Sequence, residues 1–235
     1  MRVELPPGVR APQPRTTPVF VLSGGLGTRL RGVADGPKSL LPLAGRPFLH
    51  YLLRLLRLQG FGSTVLCLGA GAEAVQAAFA ADGPLAAFAS TVRFSTEPEP
   101  LGTGGALAHA AAAAGRWNLI LNGDSYAQAD YADLLAAHRR HGPEAPRAAT
   151  LLAVRVDDAA TYGGLDLDAE GRVAGFHEKG RTGPGWINAG VYVAGGDLLR
   201  SLPAGRYSLE REVLPGLAAA GRLRALTGRF YFRDI

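Results

Sequence analysis

Cysteine is nearly absent: Cys67 is the only one in 235 residues. That excludes an internal disulfide framework and agrees with a reducing compartment, so a cytoplasmic setting is expected. Cys67 sits in Thr64-Val65-Leu66-Cys67-Leu68, where a buried strand residue is expected rather than a nucleophile. Long apolar runs are missing as well. Residues 49–58 are interrupted by His50, Arg54 and Arg57 and are too short to span a bilayer, so no membrane partner is expected. Residues 1–17 carry four prolines and three arginines with no apolar h-region, which reads as a flexible tail rather than a signal peptide. The five histidines form no ligand-like cluster. His138 and His141 share an Arg-rich helix end and are expected on a solvated surface rather than at a zinc ion. The net charge of +5 comes without a dense basic block or an interleaved aromatic stripe, so nucleic acid is not an expected partner.

Lysine is scarce too. Of the 25 basic Lys and Arg residues only Lys38 and Lys179 are lysines. In a chain this rich in Ala, Gly and Arg, two surviving lysines are either a chance residue of that bias or mark places where a compact three-donor ammonium is not replaceable by a planar guanidinium fork.

What is present reads as an ordinary folded domain, with 47% hydrophobic and 19% charged residues. An apolar strand at 18–22 runs into a glycine-rich loop. Helix 47–59, strand 64–68, helix 72–80, strand 92–95, helix 105–114 and strand 117–121 follow. This alternation predicts βαβ units in an α/β, Rossmann-like, doubly wound sheet. After a helix at 131–141 the pattern changes to strands at 150–156, 164–168, 172–178 and 187–193, helices at 197–201 and 209–219, and a last strand at 229–232. Added strands would make the sheet mixed. No linker divides residues 18–235, so a single domain is expected.

The loop Ser23-Gly24-Gly25-Leu26-Gly27-Thr28-Arg29 leaves the first strand at its carboxyl end, where open α/β sheets bind ligands. Its glycines let backbone N–H groups approach phosphates. A Rossmann dinucleotide fingerprint would need glycine at Leu30, and a Walker A loop would need a closing Gly-Lys-Ser/Thr that is not there. Asp124 ends a strand-like apolar run, where a carboxylate is costly unless it binds something; capping the next helix is the structural alternative.

Gly25-x-Gly27-Thr28-Arg29-Leu30, Pro37-Lys38 and Leu41-Pro42-Leu43-Ala44-Gly45-Arg46-Pro47 together resemble the N-terminal signature of the sugar-1-phosphate nucleotidylyltransferases. The resemblance continues through Glu97-Pro98-Glu99-Pro100-Leu101-Gly102-Thr103-Gly104-Gly105-Ala106, Asn122-Gly123-Asp124, Tyr162-Gly163-Gly164, Phe176-His177-Glu178-Lys179, Ile187-Asn188-Ala189-Gly190-Val191-Tyr192 and Phe232-Arg233-Asp234-Ile235. With Ser208-Leu209-Glu210 included, the set looks most like the guanylyltransferases of heptose 1-phosphate, with those of mannose 1-phosphate as close neighbours. Three departures stand out. Gly180 replaces a frequent proline, Ser125 follows the Gly-Asp pair where an apolar or acidic residue is common, and members usually continue past the aspartate where this sequence ends at Ile235.

The resemblance implies a nucleotide-diphospho-sugar transferase fold and a reaction between a nucleoside triphosphate and a sugar 1-phosphate. It implies catalytic Arg29, Lys38 and Asp124. A nucleotide site would comprise Leu22, Ser23, Gly24, Gly25, Gly27, Thr28, Glu97, Pro100, Gly102, Thr103, Asn122 and Gly123. Tyr162, Gly163, Glu178, Lys179 and Asn188 would face the sugar phosphate. Asp124 and Asp234 would hold Mg2+, with Mn2+ as the alternative. Glu97 occupies the base-reading position, and its two acceptor oxygens suit the adjacent N1–H and N2–H2 donors of guanine, which favours GTP. A nucleotide-sugar-sensing regulatory subunit is the non-catalytic alternative, and the oligomeric state is left open, a homo-oligomer included.

Overall fold

The computed structural model describes residues 14–25, 36–177, 179–180 and 182–235. Gly27, Thr28, Arg29 and Glu178, and the segment 1–13, lie outside the described residues.

Strand β1 (Val19–Leu22) is buried along its whole length. Alternation along a strand sends successive side chains to opposite faces. Val19 and Val21 therefore enter one core, and Phe20 and Leu22 a second one across the sheet. A two-stranded ribbon, β2 (Pro42–Leu43) with β3 (Arg46–Pro47), leads into α1 (Phe48–Leu58). Then come β4 (Thr64–Leu68), α2 (Ala72–Ala80), β5 (Val92–Thr96), α3 (Gly102–Ala110), β6 (Trp117–Asn122) and β7 (Ser125–Gln128). Helix α4 (Tyr131–His138) is followed by β8 (Ala149–Val156), β9 (Gly164–Leu167), β10 (Val173–His177) and β11 (Gly185–Gly195). Helix α5 (Gly196–Ser201), a π-helical turn at Leu209–Val213, α6 (Leu214–Ala219), β12 (Leu223–Gly228) and β13 (Tyr231–Asp234) complete the described chain.

One sheet organises these elements, with strand order β10-β9-β11-β6-β1-β4-β5; β8 pairs with β11, and β12 with β8. β6, β1, β4 and β5 run parallel, whereas β11 lies antiparallel to β6, β8 and β9. The sheet is mixed and doubly wound, as the sequence pattern predicts. Helices α1, α2 and α4 cover one face through residues such as Leu52, Val75 and Leu134. Helices α3, α5 and α6 cover the other through Leu107, Leu199 and Leu217. The chain moves from β1 outward to β4 and β5, then returns to place β6 on the other side of β1. That reversal is the topological switch point, and the carboxyl ends of β1 and β6 open there.

Several expectations are corrected. Helix α3 begins at Gly102, three residues before the predicted start, and the last strand spans 231–234 rather than 229–232. Strands β7 and β12 and the β2–β3 ribbon were not predicted. Residues 14–16 of the expected tail form a 3-10 turn, and Thr17 is buried. His138 and His141 do not lie on a solvated surface. The 3-10 stretch Arg139–Arg147 folds back over β8, so both imidazoles contact Thr150 Oγ1, at 3.0 and 3.2 Å. His138 is 1% exposed, and burial, followed by the neighbouring His141, pushes its pKa down to about 3. Among the described residues no helix is long and apolar enough to cross a membrane.

Candidate functional site

The switch point carries a cavity of about 330 Å3. Three chain segments build most of its wall. The end of β1 supplies Leu22, Ser23, Gly24 and Gly25; the turn after β6 supplies Asn122, Gly123 and Asp124; the entry to α3 supplies Glu97, Pro100, Gly102 and Thr103. Lys38 enters from the short 3-10 turn Lys38–Leu40. Every described residue expected in the nucleotide site is therefore in the wall, together with the catalytic candidates Lys38 and Asp124.

Strand pairing brings these segments together. Ser23 N–H donates to Cys67 O at 2.9 Å, which ties the end of β1 to β4, and Gly123 N–H donates to Leu22 O at 2.8 Å, which ties it to the end of β6. At the α3 entry, Leu101 N–H donates to Glu97 Oε2 at 2.8 Å, closing the loop that precedes the helix. Glu97 also lies against the backbone of Gly24 and Gly69. Gly102 takes φ +70°, and a Cβ there would stand 2.5 Å from the Tyr207 carbonyl oxygen. Only glycine permits both that conformation and that approach. The approach seats the segment before the π-helical turn over α3, with Gly104 N–H donating to Tyr207 O at 3.0 Å.

Lys38 Nζ donates to Asp124 Oδ2 at 3.3 Å and to the backbone oxygen of Ile235 at 3.0 Å. Asp124 faces β13, because β7 begins at the next residue and pairs Ser125 with Asp234. Ser125 Oγ lies 3.0 Å from Asp234 Oδ1 and 3.4 Å from Asp124 Oδ1, bridging the two carboxylates. The Asp234 pKa is raised, first by partial desolvation and then by the charge of Asp124. The Ser125 hydrogen bond and the charges of Lys38 and Lys179 oppose that rise. Two aspartates thus sit close enough to repel each other, with Asp124 in the cavity wall.

The residues expected on the sugar side do not line this cavity. Tyr162 packs edge-on against Phe232 of β13, with ring centroids 5.7 Å apart, which places it next to the Asp234 strand. Gly163 follows it directly into β9. Lys179 is exposed in the turn after β10, within electrostatic range of Asp234. Asn188 sits at a bulge in β11, where the register against β8 shifts between Asn188 and Tyr192. Gly190 completes that bulge at φ +68°, where a Cβ would stand 2.8 Å from Asn122 Nδ2. Asn188 Oδ1 accepts from Gly190 N–H at 3.0 Å, and its Nδ2 donates to the Tyr192 hydroxyl at 2.8 Å.

Four wall residues were not anticipated as site residues: Ser39, Cys67, Ala106 and Arg206. Ser39 adjoins Lys38, and Ala106, one turn into α3, closes the Glu97–Ala106 motif segment, so both lay within reach of the sequence signal. Cys67 is the buried strand residue expected from its sequence; burial, followed by the charge of Glu97, pushes its thiol up to about 12. A thiol so far from ionising is no nucleophile at neutral pH. Arg206 carries no local signal. It reaches the wall only because its loop folds over α3. Among the described residues no group of three or more His, Cys, Asp or Glu side chains could hold a metal ion.

The nucleotidyl transferase family model matches residues 19–219. A mannose-1-phosphate guanylyltransferase of Mycobacterium tuberculosis is 38% identical over 222 residues, covering 92% of this chain and 60% of that protein. The chain thus spans about 60% of the length of such relatives. A D-glycero-alpha-D-manno-heptose 1-phosphate guanylyltransferase of Aneurinibacillus thermoaerophilus is 31% identical over 220 residues, covering 92% of this chain and 91% of that protein. HddC from Yersinia pseudotuberculosis, in a crystal structure complexed with GMP-PN, superposes with a TM-score of 0.81 at 34% identity, covering 93% of each chain.

Proposed function

This chain belongs to the nucleotidyl transferase family, and we propose that it transfers GMP from GTP to a sugar 1-phosphate, releasing pyrophosphate. The observation that carries the proposal is the cavity wall at the switch point, where backbone-rich glycine segments, Lys38, Glu97 and Asp124 converge. In the reaction a phosphate oxygen of the sugar 1-phosphate attacks the α-phosphorus of GTP. The new P–O bond forms as the bond to the bridging oxygen breaks, and the electron pair leaves with pyrophosphate. The nucleophile is already an anion, so no general base is needed. Catalysis reduces to alignment of two polyanions and neutralisation of the charge that moves onto the leaving group.

Each part of the site has a place in that chemistry. Backbone N–H groups from Ser23 to Gly25, with Gly27 and Thr28 beyond the described residues, would cradle the triphosphate. Lys38 would turn from Asp124 to the phosphates, joined by Arg29. Lys179 would hold the phosphate of the sugar, and Tyr162, Gly163, Glu178 and Asn188 its ring. Glu97 would read guanine through N1–H and N2–H2.

Asp124 and Asp234 fit a divalent ion. They offer oxygen donors only, Ser125 holds them together, and burial, followed by Asp124's charge, raises the Asp234 carboxyl. Mg2+ takes one or two carboxylates and completes its shell from phosphate and water oxygens, so a pair is enough; Mn2+ is the alternative. Bound there, the ion supplies charge neutralisation for the phosphates. The names of two relatives share the manno configuration, and of these we favour the manno-heptose 1-phosphate. A reducing, cytoplasmic setting suits both the lone thiol and the substrates.

Pyrophosphate release measured over four nucleoside triphosphates and a panel of sugar 1-phosphates, with Mg2+, tests the proposal. Turnover is expected with GTP and a manno-configured partner. Absence of turnover with every pair, alongside tight nucleotide-sugar binding, would replace catalysis by sensing.

A further inference from the structure

The carboxylate of Glu210 is a meeting point for four side-chain donors. Thr103 Oγ1 donates to Oε2 at 2.8 Å and Ser208 Oγ at 3.2 Å. Asn122 Nδ2 and the Tyr192 hydroxyl each donate to Oε1 at 3.4 Å. No donor of its own is required, which suits an ionised carboxylate with about four acceptor sites.

The direction of each hydrogen bond is fixed from behind. Leu209 N–H donates to Thr103 Oγ1 at 2.8 Å, so the hydroxyl proton of Thr103 points onward to Glu210. Asn188 Nδ2 donates to the Tyr192 hydroxyl, so that proton too points to Glu210. Tyr192 is fully buried, and desolvation followed by the Glu210 charge raises its pKa, which keeps it a donor. One carboxylate thus terminates two polar chains. The first runs through Thr103 in the cavity wall. The second runs through Tyr192 to Asn188, on the side proposed for the sugar phosphate.

We infer that Glu210 is a positioning residue that holds the nucleotide loop and the sugar-side amide in one register, an inference that rests on the proposed function of this site. With Asn188 Oδ1 given to Gly190 N–H and one Nδ2 proton to Tyr192, a single Asn188 N–H remains for a ligand. That proton is aimed only while the Tyr192 hydroxyl is held by Glu210. On the other arm, Thr103 and the first turn of α3 are aimed by Oε2. Glu210→Gln keeps the shape but supplies an NH2 where one arm needs an acceptor. Either orientation of the amide sets donor against donor on one chain.

Calorimetric GTP affinity and steady-state kinetics for four variants test this. Glu210→Gln should weaken GTP binding about tenfold and raise KM for the sugar 1-phosphate. Its kcat/KM should fall about 100-fold, as expected when reacting groups drift by an ångström. Tyr192→Phe removes the hydroxyl that orients Asn188 and that also contacts Asn122 in the cavity wall, so KM for the sugar 1-phosphate should rise by more than GTP affinity falls. Thr103→Val should do the reverse. Glu212→Ala, two residues away, removes the oxygen that accepts Ser208 N–H and should lower the melting temperature without moving either affinity. Glu210→Gln that melts earlier yet keeps wild-type GTP affinity and sugar KM would overturn the inference, leaving Glu210 a structural strut. A GTP affinity that falls as far as the sugar 1-phosphate KM rises in Tyr192→Phe would overturn it too, because the two arms would not be separate. GTP affinity is read without turnover. A wild-type protein that binds GTP but turns over no sugar 1-phosphate therefore refutes the proposed function alone.

Discussion

Replacing Glu97 by glutamine tests the base assignment with one atom. In the structure Oε2 accepts Leu101 N–H at 2.8 Å and so anchors the loop into α3. The remaining acceptor capacity is what guanine would use through N1–H and N2–H2. Glutamine has one carbonyl oxygen. If it stays on Leu101 N–H, the amide NH2 faces the base and donor meets donor. If it turns to the base, Leu101 N–H loses its partner. Either outcome forfeits one hydrogen bond to a charged acceptor, roughly 1.5–3 kcal/mol, or about 10–150-fold in kcat/KM for GTP. Uracil presents one N–H flanked by carbonyls, so UTP should lose less than about threefold, by the same hydrogen-bond accounting. The assay is pyrophosphate release with each of four triphosphates at a fixed sugar 1-phosphate concentration. A GTP:UTP ratio unchanged within twofold would refute the base-reading role. An equal fall for all four would show that Glu97 acts only as the loop anchor.

Other outcomes follow from the same geometry. Lys38→Arg should lower kcat by about 100-fold or more with the fold intact, because a guanidinium cannot reproduce an ammonium seated between Asp124 Oδ2 and Ile235 O; turnover within threefold of wild type would refute it. Lys179→Arg should mainly raise KM for the sugar 1-phosphate, by about tenfold, with kcat little changed; a pure kcat effect would remove Lys179 from binding. His138 folds with its pKa lowered from 6.5 to about 3, so the unfolded chain binds the extra proton and stability is lost as pH falls through that window. Between pH 6.5 and 5, before carboxylates titrate, His138 alone should cost roughly 2 kcal/mol, read as a falling urea midpoint; a flat midpoint would refute it. Because Asp124 raises the Asp234 carboxyl, Mg2+ should raise the melting temperature of wild type more than that of Asp234→Asn; equal shifts would place the ion elsewhere.

The parallel half of the fold is legible in the sequence because its strands are buried on both faces and read as apolar runs, Val19-Phe20-Val21-Leu22 above all. The later strands are harder. β12 reads Leu-Arg-Ala-Leu-Thr-Gly and pairs along its length with β8, with a single bridge to Arg172 on its other side, so only Leu223 is buried and its pattern has little contrast. β7 and β13 pair only with each other, and the latter is mostly exposed. Helix α3 reads as starting late because Gly102, Gly104 and Gly105 look like helix breakers. They are there for close approach to the 205–207 backbone and ring, which no local rule reveals. His138 and His141 read as solvent-facing for a related reason: Arg139 and Arg140 suggest a wet surface, while the turn at Gly142 sends the chain back over β8. Within the site, motif spacing points to the nucleotide-side segments that form the cavity wall, yet Arg206 and the convergence on Glu210 depend on contacts more than a hundred residues apart in sequence for Thr103 and Leu209.

Charge at the site explains why the proposed chemistry needs more than its lysines. Among the described wall residues, the cations Lys38 and Arg206 face the carboxylates Glu97 and Asp124, so the wall is near neutral before a ligand enters. Lys38 is moreover engaged with Asp124, and the Asp234 carboxyl is raised by burial and then by the Asp124 charge. A triphosphate and a phosphate monoester add only negative charge, and in a partly desolvated cavity that repulsion is weakly screened. Backbone dipoles at the glycine segments offset part of it. A divalent cation on the Asp124–Asp234 pair, as proposed, would offset the remainder and would also free Lys38 from Asp124 for the phosphates. The carboxylates then do not compete with the substrates for the lysine. With an ion bound between the two aspartates, the same Asp124 that now holds Lys38 back would release it.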